Sequence, residues 1–214
     1  MKTPEHPIFL ESVNYIRSKI GITGLEDVQQ TILERIIHSS GDFGLQSCLK
    51  FSPTACKDAI NALKNGATIL TDTYMAEAAI SPMAKRTLNS TIECILGMAP
   101  ASISIDTTLT TRSEIGIKNK WLDFEGKDTI NKSNAPLVII GSSPTALISL
   151  LDLVEAGYKT PSLIIGMPVG FIGVNESKTR LLNRDSAYIV LEGSKGGASL
   201  AAAATNALLR AAEN

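Results

Sequence analysis

This chain of 214 residues is short of histidine (two), cysteine (three) and aromatic side chains (5%), and 20 Lys and Arg balance 21 Asp and Glu to a net charge of -1. Each shortage removes a class of function. A chain that is 44% hydrophobic and nearly neutral is not intrinsically disordered, since disorder couples low hydrophobicity to high net charge. It lacks the surplus of Lys and Arg with which nucleic-acid modules meet phosphates, so no nucleic-acid partner is expected. Cys48, Cys56 and Cys94 form no CxxC pair and are odd in number; neither a disulfide framework nor a zinc ribbon is expected, and a reducing cytoplasm is the default location. With His6 and His38 as the whole histidine complement, no Cys–His or His–His pair has ligand spacing, and no metal site is expected. No apolar run approaches the ~18 residues of a membrane span. The N-terminal MKTPEHPIFLESVNYIR carries charges and prolines where a signal peptide has its apolar centre.

The phosphate and hydrolase signatures are missing too. Gly166, Gly170 and Gly173 lack the Gly-Lys-Ser/Thr ending of a P-loop, Gly141-Ser-Ser-Pro lacks the later glycines of a dinucleotide fingerprint, and no G-x-S-x-G occurs.

Short β-rich runs recur instead, at Ala67–Thr71, Thr91–Leu96, Leu137–Ile140, Ser162–Ile165 and Ala187–Leu191. Several are apolar at every position, as in strands buried on both faces. Helical patterns occupy Glu11–Ile20, Asp27–Ser39, Pro53–Lys64, Pro144–Ala156, Asn175–Leu182 and Gly197–Ala212. Ser143 and Pro144 provide a cap and a first-turn proline for the fourth of these, and Gly157 a stop. Ala101–Leu109 alternates like a strand before a more helical stretch from Thr111, and Gly126–Asn134 is a polar loop. Strands and helices at this spacing predict an α/β fold: a doubly wound, mostly parallel sheet of about five strands with helices on both faces. A helical N-terminal segment precedes it, and residues 1–214 are read as one domain.

Ligands of such sheets bind at the carboxyl ends of the strands. Four strand exits stand out: Thr71–Met75, Gly141–Thr145, Gly166–Gly173 and Gly193–Ala198. They are either ordinary tight βα turns or helix starts whose free N–H groups suit anions. The third, with Met167, Pro168, Val169 and Phe171, is apolar enough for the face of a large flat ligand. His38 ends a helical pattern just before Gly41. It is either a histidine that complements the helix dipole or a general acid, since a helix C-terminus favours the protonated, donor form. His6, beside Pro7, is read as part of a flexible end.

Together these residues resemble one family. GMPVGFIGVNESK at Gly166–Lys178 is similar to the GMPVGFVGAxESK segment of precorrin-8X methylmutases, the precorrin isomerases of cobalamin biosynthesis. His6-Pro7-Ile8, Ser12 with Ile16-Arg17, Ile36–Asp42 (against VHATGD), Phe51-Ser52-Pro53, Leu70-Thr71-Asp72 with Met75, Thr111-Arg112-Ser113, Ile140–Leu147 (against IGNAPTAL), Lys195-Gly196-Gly197 and Ala201–Ala203 follow in order. The resemblance runs from about His6 to Leu209.

It implies an isomerase that moves a methyl group from C11 to C12 of a contracted tetrapyrrole, with or without cobalt in the ring, and needs no organic cofactor. The family's catalytic histidine falls on His38, as donor of a proton to the macrocycle. Arg17, Arg112, Lys178 and Lys195 are implied partners of the substrate's many carboxylates, together with the helix starts after Gly141, Gly173 and Gly197. Ser12, Thr71, Asp72, Met75, Ser113 and the loop Met167, Pro168, Val169, Gly170 and Phe171 are implied pocket positions, and a homodimer is implied as well. The sequence departs from the family at Ala79, where Gly is often found, and at Glu114, where a small residue is usual. It departs also at Glu192 and Ser194, which flank Gly193 where many relatives carry Arg. The alternatives are a nucleotide- or sugar-phosphate-binding α/β enzyme and a tetrapyrrole carrier without activity.

Overall fold

The computed structural model describes residues 6–101, 110–126 and 133–213. Its elements, in chain order, begin with α1 (Pro7–Ile20), α2 (Asp27–Ser40), the short α3 (Leu45–Cys48), β1 (Leu49–Phe51) and α4 (Ala55–Lys64). Next come β2 (Ile69–Thr71), α5 (Tyr74–Arg86), β3 (Ile92–Cys94), a 3-10 turn (Ile95–Met98) and α6 (Arg112–Glu125). The chain ends with β4 (Leu137–Ile140), α7 (Pro144–Glu155), β5 (Leu163–Gly166), α8 (Val174–Leu182), β6 (Tyr188–Leu191) and α9 (Ala198–Ala212).

The strands form one six-stranded sheet in the order β1-β6-β5-β4-β2-β3, parallel except for β1, which runs antiparallel to β6. The five expected strands are all present, and β1 is the addition. The alternation of a strand explains the unbroken apolar runs. In β4, Leu137 and Ile139 join the core that packs α2, α4, α5 and α9 on one face. Val138 and Ile140 join the core with Trp121 and Phe124 of α6, Leu147, Leu150 and Leu151 of α7 and Leu181 of α8 on the other. Ala-rich α9 lies flat on the first face: Ala201, Ala204, Ala207, Leu208 and Leu209 are at most 1% exposed. Among the described residues, no helix is long and apolar enough to cross a membrane.

One boundary corrects the sequence reading. The first helix starts at Pro7 rather than Glu11, and His6, read as a flexible end, is its N-cap, with Nδ1 accepting from the Ile8 N–H at 3.3 Å. The capping bond and the proline at the first helical position together fix that start. The expected strand-like Ala101–Leu109 and the polar loop Gly126–Asn134 fall largely outside the described residues.

The strand order sets where ligands are expected. From β2 the chain steps to β3 in one direction through α5, then back across β2 through α6 to β4 and onward through α7 and α8. The switch point therefore lies between the exits of β2 and β4.

Candidate active site

The crevice at the switch point is filled from inside. Asp72, which follows β2, is fully buried, and its Oδ2 accepts the N–H groups of Gly141, Ser142 and Ser143 at 3.1, 2.6 and 2.8 Å. Burial pushes its carboxyl above the usual range, against the pull of the three N–H donors. The N–H groups at the start of α7, expected as an anion site, are thus already taken by the Asp72 side chain. The remaining cap of α7 comes from Ser143 Oγ, which accepts from Ala146 N–H. Ser143 Oγ lies 3.0 Å from Thr145 Oγ1, and Thr145 Oγ1 lies 2.6 Å from Thr111 Oγ1, the cap of α6. A chain of hydroxyls therefore ties the starts of α6 and α7 together. Thr71 is buried beside Asp72. The implied pocket roles of Thr71 and Asp72 meet closed side chains, because both lie inside the sheet's edge rather than on its rim.

Further along the rim the loops open. In the β5–α8 loop, Met167 is fully buried and Pro168 is buried, whereas Val169 is 50%, Phe171 89% and Ile172 89% exposed. Met167 turns inward because its backbone is used: its N–H donates to Ile140 O at 2.8 Å and its carbonyl accepts from Gly197 N–H at 2.9 Å. Gly170 has φ 141 and gives its N–H to Ser194 O at 3.1 Å. The apolar face expected of this loop is therefore made by Val169, Phe171 and Ile172. Met75 and Tyr74, at the start of α5, are also exposed. Among the described residues no side chain caps α8 or α9, which begin after Gly173 and Gly197, whereas hydroxyls of Thr73, Thr111 and Ser143 cap α5, α6 and α7.

Gly196 shows how closely the loops approach. A Cβ there would lie 2.0 Å from Met167 O and 2.9 Å from Pro168 O, both backbone atoms. Gly196→Ala therefore separates the β5–α8 and β6–α9 loops and costs at least about 2 kcal/mol of stability, measured by urea unfolding.

His38 is exposed in the last turn of α2. Phe9 of α1 meets its ring edge-on at 5.0 Å between centroids and 81°, and the Arg35 guanidinium lies 4.7 Å from the other ring's centroid, that of Phe9. The sequence reading missed Phe9; a lone aromatic on another helix carries no local sign of its partner. Beyond His38 the chain turns at Gly41 in the left-handed region, and Asp42 forms an ion pair with Lys195 of the β6–α9 loop. That pair holds the Asp42 carboxyl below, and the Lys195 ammonium above, their ordinary values. It also brings the turn that follows His38 against the β6–α9 loop.

The implied cations are largely engaged. Arg17 grips the buried Glu34 with two bonds, Nε to Oε1 at 2.7 Å and a terminal nitrogen to Oε2 at 3.1 Å, which fastens α1 to α2. Arg112 Nε donates to Pro100 O at 2.9 Å, and Ser113 follows it in the first turn of α6, partly buried. Ser12 Oγ donates to Ile8 O within α1. Lys178, expected on the substrate, is 1% exposed, and its ammonium donates to Gly193 O and Lys195 O, each at 2.7 Å. The reason is its place in α8, facing the turn after β6 rather than solvent. Among the described residues, no group of three or more His, Cys, Asp or Glu residues is arranged to hold a metal ion.

The fold is that of a doubly wound α/β protein, with exposed loops at the carboxyl ends of its strands beside the switch point held by Asp72. Comparison with known proteins gives the particular family. The sequence profile of precorrin-8X methylmutases matches residues 7–211. A cobalt-precorrin-8 methylmutase of Synechocystis is 34% identical over 96% of this chain and 95% of its own length. A precorrin-8X methylmutase of Pseudomonas aeruginosa is 34% identical over 94% and 93%. The crystal structure of a precorrin-8X methylmutase from Thermus thermophilus superimposes with a TM-score of 0.83 at 30% identity, covering 96% of this chain and 95% of that one. The chain belongs to the precorrin-8X methylmutase family and is an intramolecular methyl-transferring isomerase.

Proposed function

We propose that the chain moves the methyl group of precorrin-8X, or of its cobalt-containing counterpart, from C11 to C12, giving hydrogenobyrinic or cobyrinic acid, with His38 as the proton donor. The observation that carries the reading is the rim itself. It sets Val169, Phe171 and Ile172, all exposed, beside the uncapped starts of α8 and α9 and on the same edge as His38. A corrinoid precursor is an apolar disc bordered by acetates and propionates. The three side chains match the disc, and the free N–H groups of two helix starts match carboxylates.

Proton transfer from His38 to the conjugated ring, at a nitrogen near the migrating methyl, lowers the ring's electron density and eases a suprafacial 1,5-shift. The imidazole then recovers the proton as product forms. General acid help of this kind contributes about 10²–10⁴-fold, and holding the ring rigid on the rim adds to it. The protein acts in the cytoplasm as a homodimer, each subunit working as one domain.

The test is incubation of the purified chain with precorrin-8X and, separately, with cobalt-precorrin-8. Appearance of the product's visible absorption band at catalytic protein concentration supports the reading. Stoichiometric binding of product without turnover of either substrate identifies a carrier and overturns it.

A further inference from the structure

We propose that Lys178 is a positioning residue: its ammonium holds the β6–α9 loop so that Lys195 stays paired with Asp42, and that pair fixes the end of α2 that carries His38. The inference rests on the His38 reading and extends it to a residue that touches neither substrate nor His38.

A fully buried lysine is rare unless its charge is matched. Lys178, at 1% exposure, meets two backbone carbonyls of one loop, Gly193 O and Lys195 O. An ammonium is a compact point charge with three donors, suited to drawing two carbonyls together. The loop needs such a clamp. Gly193 and Gly197 both have positive φ, 79 and 128, and glycine gives up more freedom than other residues when it is ordered.

What the clamp fixes is decided by the second carbonyl, which belongs to Lys195 itself. The Lys195–Asp42 pair is half exposed, with side chains at 56% and 36%. A surface pair of that kind contributes little when both partners are free to wander. With the Lys195 backbone held from inside, the pair gains one defined end. Asp42 gives the other: its carboxylate also accepts from Gly44 N–H at 2.8 Å, and its own N–H donates to Ser40 Oγ at 3.1 Å. Ser40 is the last residue of α2, two beyond His38. The route therefore runs from α8 through the loop and the ion pair to the turn next to the proton donor. Burial also lowers the Lys178 ammonium to about 8, as expected of a group fully withdrawn from solvent and not of a rim cation reaching for a ligand.

The test uses the full chain and proton NMR of its two histidines, reading the imidazole C2–H of His38 against that of His6. In Lys178→Met the His38 signal moves while that of His6 stays. The same variant loses about tenfold to a hundredfold in kcat with KM changed less than about threefold. Asp42→Asn acts in the same direction, and the double variant falls no further than the weaker single one, because both changes cut one route. An unmoved His38 signal in folded Lys178→Met, a raised KM at unchanged kcat, or losses that multiply in the double variant overturns the proposal. Where Lys178→Met does not fold, Lys178→Gln, whose shorter amide reaches at most one of the two carbonyls, is read by the same signal with the same two outcomes. A fully active His38→Asn would refute the proton-donor reading alone, leaving the NMR result to decide the positioning.

Discussion

His38→Asn lowers kcat about 10²–10⁴-fold, or about 3–5 kcal/mol of barrier, while the affinity for product changes little. Asparagine keeps a polar, hydrogen-bonding side chain of similar reach at the exposed end of α2, so the fold and the ligand face stay as they are. What it cannot do is carry a proton to the ring and take it back. His6→Asn is the internal control. His6 caps α1 through its Nδ1, a role that an asparagine oxygen fills as well, so turnover stays at the unaltered rate. Stopped-flow absorbance on both variants separates the two histidines. A wild-type rate in His38→Asn would refute the proposed chemistry.

Asp72→Ala lowers the unfolding free energy by about 3–5 kcal/mol, because the buried Gly141 N–H and the part-buried Ser142 and Ser143 N–H groups lose their shared acceptor and a space opens between β2 and β4. Asp72→Asn keeps an acceptor oxygen and costs less. The two variants also separate by pH. Burial raises the Asp72 carboxyl in the folded protein, so the folded state holds that proton more tightly than the unfolded state, whose value is about 3.9. The stability that the protonated group contributes is complete below the unfolded value and is lost as pH rises through the folded one. Asp72→Asn does not titrate and therefore gains on the unaltered protein across that rise. Urea unfolding from about pH 4 upward measures it, and a gap independent of pH would refute the assignment of the shift to Asp72.

Most of the sheet was legible because its strands are apolar on both faces, a pattern that needs no knowledge of neighbours: β4 and β5 stand out in any window. β1 was not, since Leu-Lys-Phe is too short to show alternation and exists only by pairing with β6. α5 was hidden by composition. Its alanines show no strong periodicity, and Pro82 reads as a breaker, yet it sits exposed within the helix. At the site, His38 and the loop after β5 could be found from local sequence and resemblance. The engagement of the cations could not. Arg17 meets Glu34, Lys178 meets the Gly193 and Lys195 carbonyls, and Lys195 meets Asp42, a partner 153 residues away. Whether a lysine points at solvent or inward is decided by packing, and nothing in its neighbours' identities records it. The phosphate fingerprints absent from the sequence have a structural counterpart: the N–H groups before α7 that could meet a phosphate are taken by Asp72.

The two ends of the sheet are poorly suited to receive a further strand. β1 and β3 are three residues each, and their central residues are Lys50 and Glu93, engaged with Glu192 at 3.4 Å and with Lys120 at 2.5 Å. An edge so short and charged offers a poor template for another strand, which protects the protein from strand-to-strand aggregation. Growth of the sheet by addition of another strand at either end is thereby disfavoured.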